Sequence, residues 1–176
     1  MECLLGLLKV RVVRGVNLAI CDPLTHSSDP YVVLRLGSQK VKSSIKYHTI
    51  NPEWNEELTL SITNMMLPVK IDSNNSVLQI SGGLRQGHVT KDDSMGDAEF
   101  CILDFVETAK QDLSHVSDGT VMKTIHPEQG NCFATESHIT WKDGKVSQDI
   151  VLRLRNTDTG ELVLHLQWVN IPGVAR

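Results

Sequence analysis

The feature that most constrains this chain is a recurring two-residue alternation of apolar and polar side chains. It runs through residues 7–13 (LLKVRVV), 31–37 (YVVLRLG), 57–62 (ELTLSI), 149–155 (DIVLRLR) and 161–169 (ELVLHLQWV), with Gly, Pro, Asn or Asp at the boundaries. Such a period places successive side chains on opposite faces of a strand, one toward a core and one toward water. In the last run Leu162, Leu164, Leu166 and Trp168 share one face, while Glu161, His165 and Gln167 share the other. That is the pattern of an antiparallel strand with one solvated side, on which His165 is expected to be exposed. Between the last two runs, Asn156, Asp158 and Gly160 suit a hairpin turn.

Residues 104–116 (DFVETAKQDLSHV) break the alternation. Val106, Ala109, Leu113 and Val116 fall near one helical face, and Asp104 and Glu107 are spaced as a capping box, which predicts a short helix. No Gly/Ser-rich or Pro-rich linker follows, and the strand pattern resumes. Residues 1–176 are therefore expected to form one antiparallel sandwich with a helix-containing insertion. A chain of 176 residues, 40% hydrophobic, can bury a sizeable core without staples.

Composition excludes several function classes. Cys3, Cys21, Cys101 and Cys132 are spaced like neither a zinc site nor a dense disulfide framework, and read as reduced thiols. The start MECLLGLLKVRVV lacks a basic leader and is interrupted by Lys9 and Arg11, so a first strand is expected rather than a signal or a membrane span. No lipidation motif is present. The net charge of −4 argues against nonspecific nucleic-acid binding. The seven histidines form no H-E-x-x-H spacing, and SGGLRQGH (81–88) lacks the G-K-[ST] of a phosphate loop. No catalytic residues are assigned.

Binding is the richer reading. Asp22 and Asp29 stand at the two ends of a loop, CDPLTHSSDPYV, between two strands. Paired carboxylates there fit either turn chemistry or a site for a hard cation such as Ca2+. VTKDDSMGDAEF (89–100) adds Asp92 and Asp93. In QKVKSSIK (39–46), Lys40 and Lys42 alternate onto one strand face, with Lys46 close by and Arg35 on a neighbouring strand. That face is either ordinary solvated surface or a lipid-binding patch. Trp54, after the Asn51-Pro52 turn, reads as a structural anchor. Leu24, His26, Leu84 and Val89 are candidate membrane-contacting loop residues.

The order KVRVVRGVNL, SDPYVVLRLG, TINPEWNEELTLSI, DDSMGDAEF resembles the C2 domain, an all-β, eight-stranded antiparallel sandwich. The later stretches GTVMKTIHPEQGNCFATESHITWKDGKVSQDIVLRLRN and GELVLHLQWVNIPG resemble the plant C2-domain abscisic-acid-related family, whose insertion falls here at about 104–146. The resemblance implies a peripheral adaptor that binds Ca2+ and acidic phospholipids. It also implies recruitment of abscisic acid receptors to the plasma membrane, with further placement in the nucleus and cytoplasm. Activation of a GTPase through a partner, independent of calcium, is the alternative. In the family's register Asp22, Asp29 and Asp93 match metal positions, with Asp92 one residue from the last. Arg85 and Gly87 fall where two more carboxylates belong, within a divergent loop at about 72–91. Calcium dependence is accordingly expected to be weakened.

Overall fold

The structure, a computed structural model, describes residues 3–77 and 92–173. The described residues form ten strands and one helix. These are β1 (Gly6–Val16), β2 (Pro30–Leu36), β3 (Gln39–Lys42), β4 (Glu53–Ile62), β5 (Val69–Asn75), β6 (Asp93–Phe100), α1 (Leu103–Ala109), β7 (Thr120–Ile125), β8 (Ser137–Lys142), β9 (Lys145–Arg153) and β10 (Glu161–Val169). They build a six-stranded sheet, β4-β1-β10-β9-β8-β7, and a four-stranded sheet, β3-β2-β5-β6. Every pairing within the sheets is antiparallel.

Alternation decides which faces meet. Leu8, Val10 and Val12 of β1 and Leu162, Leu164 and Leu166 of β10 are fully buried, in one cluster with Val32 and Leu34 of β2 and Ile71 of β5. Burying each such side chain contributes about 1.5–3 kcal/mol, so the shared core holds the two sheets together. Trp54 is the expected anchor, buried with its indole N–H donating to the Ser44 carbonyl at 2.9 Å. The two sheets also join along one side: the Asp97 N–H donates to the Arg155 carbonyl at 3.1 Å and the Arg155 N–H returns a bond at 2.6 Å.

The insertion does more than add a helix. Its helical part, expected over 104–116, ends as α1 at Ala109, though Val106, Ala109 and Leu113 are buried and Val116 packs against the core as its periodicity requires. The capping box does not form: Ile102 is the N-cap and no side chain caps it. Asp104 lies inside the first turn and instead accepts an ion pair from Lys123 of β7 at 2.7 Å. β7 and β8 extend the eight-stranded sandwich outward from β9, leaving β7 as an edge strand whose register breaks between Val121 and Lys123. Between β8 and β9, Asp143 and Gly144 take φ values of 52° and 74° in a two-residue turn, the conformation that Asp-Gly favours.

The turn at 156–160 forms as expected, with Asn156 and Gly160 at positive φ and the Leu154 N–H bonded to the Gly160 carbonyl at 3.0 Å. His165 lies on the polar face of β10 but is not freely exposed. Its side chain is 22% exposed, and Nδ1 lies 2.7 Å from Asp149 Oδ1.

Candidate lipid-binding and cation site

The β1–β2 and β3–β4 connections, with the end of β5 and the start of β6, bring Asp22, Asp29, His48, Asn75 and Asp93 toward one end of the sandwich. Asp22 closes its own turn: Oδ1 accepts the Leu24 N–H at 2.9 Å and Oδ2 accepts the Thr25 hydroxyl at 2.8 Å. The Thr25 hydroxyl and then the Leu24 N–H hold its carboxyl below the usual range. Asp29 accepts the His48 backbone N–H at 2.8 Å. Asp93 is exposed, receives a long 3.5 Å contact from the Asn75 amide, and lies near enough to Cys21 to help burial raise that thiol's pKa.

Asp92, one residue from the last expected metal position, is held from two sides. One oxygen accepts the Tyr31 hydroxyl and the other accepts the Val77 N–H at 3.2 Å. Burial, then the bond to Asp92, pushes Tyr31 up to about 12, so this phenol stays protonated and donating.

Asn75 is the residue that sequence reasoning missed. It ends β5 opposite Asp93, its Oδ1 accepts the Asp29 N–H at 2.7 Å, and its Nδ2 faces Asp93. A neutral amide therefore links the Asp29 backbone to the Asp93 carboxylate. Continuing β5 from Pro68 would have found it, whereas a register counted back from Asp93 pointed to Arg85 and Gly87. Those two, with Leu84 and Val89, lie outside the described residues.

The donor set does not fit a tight calcium cage. Calcium takes about six to eight oxygen ligands, with several carboxylates among them. Among the described residues no three acidic, histidine or cysteine side chains come together as a metal site. Residues 73–91 contain no Asp or Glu, and they include Arg85 and Lys91.

Around the corner lies the outer face of the four-stranded sheet. Lys40, Arg35 and Lys70 face one another across β3, β2 and β5, and Glu99 follows on β6. Arg35 pairs with Asp72 at 3.2 Å. Lys40, Lys42 and Lys70 are exposed, and no ion pair neutralises them among the described residues. Lys46 is half-buried beside the Asp29 loop, its N–H donating to the Pro30 carbonyl at 3.0 Å. Lys70 was absent from the sequence reading because its register against Arg35 is a tertiary fact. At the loop tip Leu24 is 92% exposed, and Tyr47 and Ile20 are also exposed.

The C2 domain family pattern matches residues 6–117, most of the sandwich just described. The chain is 47% identical over 173 residues to Protein C2-DOMAIN ABA-RELATED 5 of Arabidopsis thaliana, covering 98% of this chain and 80% of that protein. The chain belongs to the C2 domain family, in its ABA-related branch. This C2 domain is also 49% identical over 170 residues to GTPase activating protein 1 of Oryza sativa subsp. japonica, covering 97% of this chain and 95% of that one. The calcium-bound structure of the paired C2 domains of Extended-Synaptotagmin 2 has the same fold. Its TM-score is 0.62 at 16% identity, covering 97% of this chain and 48% of that longer one. Among the described residues of this C2 domain no helix is long and apolar enough to cross a membrane.

Proposed function

We propose that this C2 domain is a peripheral phospholipid-binding adaptor that holds the bilayer mainly by charge and loop insertion, with calcium dependence reduced. The observation that carries the reading is the set Lys40, Lys42 and Lys70, without an ion pair among the described residues, on one sheet face of a chain whose net charge is −4. Each such lysine near an anionic leaflet contributes about 1 kcal/mol, and salt weakens the attraction. Leu24 at the loop tip adds apolar contact with the acyl boundary. Asp22, Asp29, Asp92 and Asp93 act in loop geometry, and any calcium they gather is weakly held. The partner delivered to the plasma membrane in this reading is an abscisic acid receptor; the relatives' names, which say ABA-related, support the link to abscisic acid.

Vesicle sedimentation in chelator tests this. Binding to anionic vesicles is expected without calcium and to fall steeply as sodium chloride rises. Neutralising Lys40, Lys42 and Lys70 to Gln is expected to weaken it by about five-fold per lysine. Strictly calcium-dependent binding, indifferent to these lysines, would overturn the reading.

The similarity to GTPase activating protein 1 favours a second role, stimulation of a partner GTPase. The nucleotide would sit on the partner, so single-turnover GTP hydrolysis by a candidate GTPase, with and without this chain, is the test.

A further inference from the structure

Where the two sheets join at Asp97 and Arg155, a cavity of about 220 Å³ has both Cys101 and Cys132 in its lining, with Glu99, Asp104, Gly130 and Arg155 among the other residues. The two thiols are distant in the chain and both are free. Cys101 comes from the link between β6 and α1 and is exposed, though its neighbours Phe100 and Ile102 are in the core. Cys132 comes from the link between β7 and β8 and is only 7% exposed.

The fold holds this juxtaposition from both sides. The Cys132 carbonyl accepts the Arg153 N–H at 2.8 Å, and Phe133 bridges to Leu152 of β9. Just before Cys132 the wall is open, since nothing lies within 4 Å of the place a Cβ would take on Gly130, so it has room to close on Cys101. Arg155 is fixed, with Nε and Nη2 donating to Asp97 Oδ1 at 3.1 and 2.8 Å. Burial lowers the Arg155 pKa, but the bond to Asp97 and then the nearby Cys132 thiol help to raise it above its ordinary value. A held cation therefore stands close to one of the two sulfurs. Asp104, the acid nearest Cys101 in sequence on this wall, is taken up by Lys123 at 2.7 Å.

We propose that Cys101 and Cys132 are an oxidation site, at which a hydroperoxide converts the two thiols to one disulfide across the cavity. The exposed Cys101 sulfur attacks the peroxide first. An S–O bond forms, the O–O bond breaks, and the leaving oxygen takes the thiol proton, which makes Cys101 a sulfenic acid. The Cys132 sulfur then attacks that sulfur. The S–S bond forms, the S–O bond breaks, and hydroxide leaves as water with the Cys132 proton. Arg155 steadies the negative charge on the attacking Cys132 sulfur. Two hydrogens and two electrons pass from the thiols to the peroxide. The new bond ties the end of β6 to the insertion and closes a loop that contains α1 and β7. None of this depends on the membrane reading.

The full chain is treated with hydrogen peroxide, remaining thiols are blocked, and tryptic peptides are weighed without reductant. Cleavage after Lys91, Lys110, Lys123 and Lys142 releases residues 92–110 and 124–142, each with one cysteine. These two peptides are expected joined, two hydrogens lighter than their sum, in monomeric protein and before Cys3 and Cys21 lose their thiols. The melting temperature is expected to rise by about 5–10 °C, and dithiothreitol should reverse both changes. Cys132→Ser is expected to leave a sulfenic acid on Cys101 that dimedone captures, whereas Cys101→Ser leaves Cys132 a thiol at the same dose. Separate oxidation of the two cysteines in the unaltered chain overturns the proposal. So does a bridge from either one to Cys3, Cys21 or a second copy. A bridge that lowers the melting temperature marks a bond trapped from an unfolded form and overturns it as well. Dimedone on Cys132 but not on Cys101 in the two variants overturns the order of attack.

Discussion

Ser73 sits fully buried on β5, and its hydroxyl finds no hydrogen-bond partner among the described residues. A buried, unsatisfied hydroxyl costs about 1–3 kcal/mol, so Ser73→Val is expected to raise the urea midpoint without changing the slope, stabilising the domain by about 1–2 kcal/mol. Tyr31 gives a pH signature. Its ionisation is raised from the ordinary 10.0 to about 12, so the native state holds this proton more tightly than the unfolded chain. The associated stability is complete below pH 10 and is lost as pH rises toward 12. Ultraviolet titration of a Tyr47→Phe protein, in which Tyr31 is the remaining tyrosine, should show that high midpoint. Asp92→Asn should lower it. Neither residue announced itself in the sequence: the alternation puts Tyr31 on the outer face of its strand, but its partner is 61 positions away.

At the level of elements, legibility followed burial. β1 and β10 have one buried face throughout, and their alternation declared them. β7 has no fully buried position, which is why its letters carried no clear period. The β8–β9 hairpin has its own signal in the Asp143-Gly144 pair, which periodicity alone does not pick out. Gly144→Ala tests that turn: with φ at 74° and nothing near the missing Cβ, the cost is backbone strain alone. About 1 kcal/mol of destabilisation is expected in equilibrium unfolding. Asp104 and Glu107 give the opposite lesson, because a sequence spacing that fits a cap was taken by an element beginning two residues earlier, with Ile102 as its N-cap. With no cap to lose, Glu107→Ala should change stability by under about 0.5 kcal/mol, and Asp104→Ala should cost under about 1 kcal/mol for its exposed pair with Lys123. A genuine capping box would cost more in both.

For the whole molecule, the sandwich and its loop end were legible, whereas the content of the cation site depended on register. Asn75 owes its place between Asp29 and Asp93 to β5–β6 pairing, and that pairing spans residues whose sequence departs from the family pattern. One expectation belongs to this scale. A ligand that binds the native state raises thermal stability in proportion to its occupancy, so millimolar calcium should shift the melting temperature by less than about 2 °C, measured by scanning calorimetry in chelated and calcium-loaded samples. The extended sheet has a further consequence, concerning self-association. Joined at Asp97 and Arg155, the two sheets seal one side of the sandwich, and β7 is left at the sheet edge, paired only with β8 among the described strands. The irregularity at Val121–Lys123 and the lysine itself make that side a poor template for a strand from another copy. The lengthened sheet is thus kept from polymerising by one irregular step and one charge, and a change that straightens β7 while neutralising Lys123 would expose the domain to edge-to-edge aggregation.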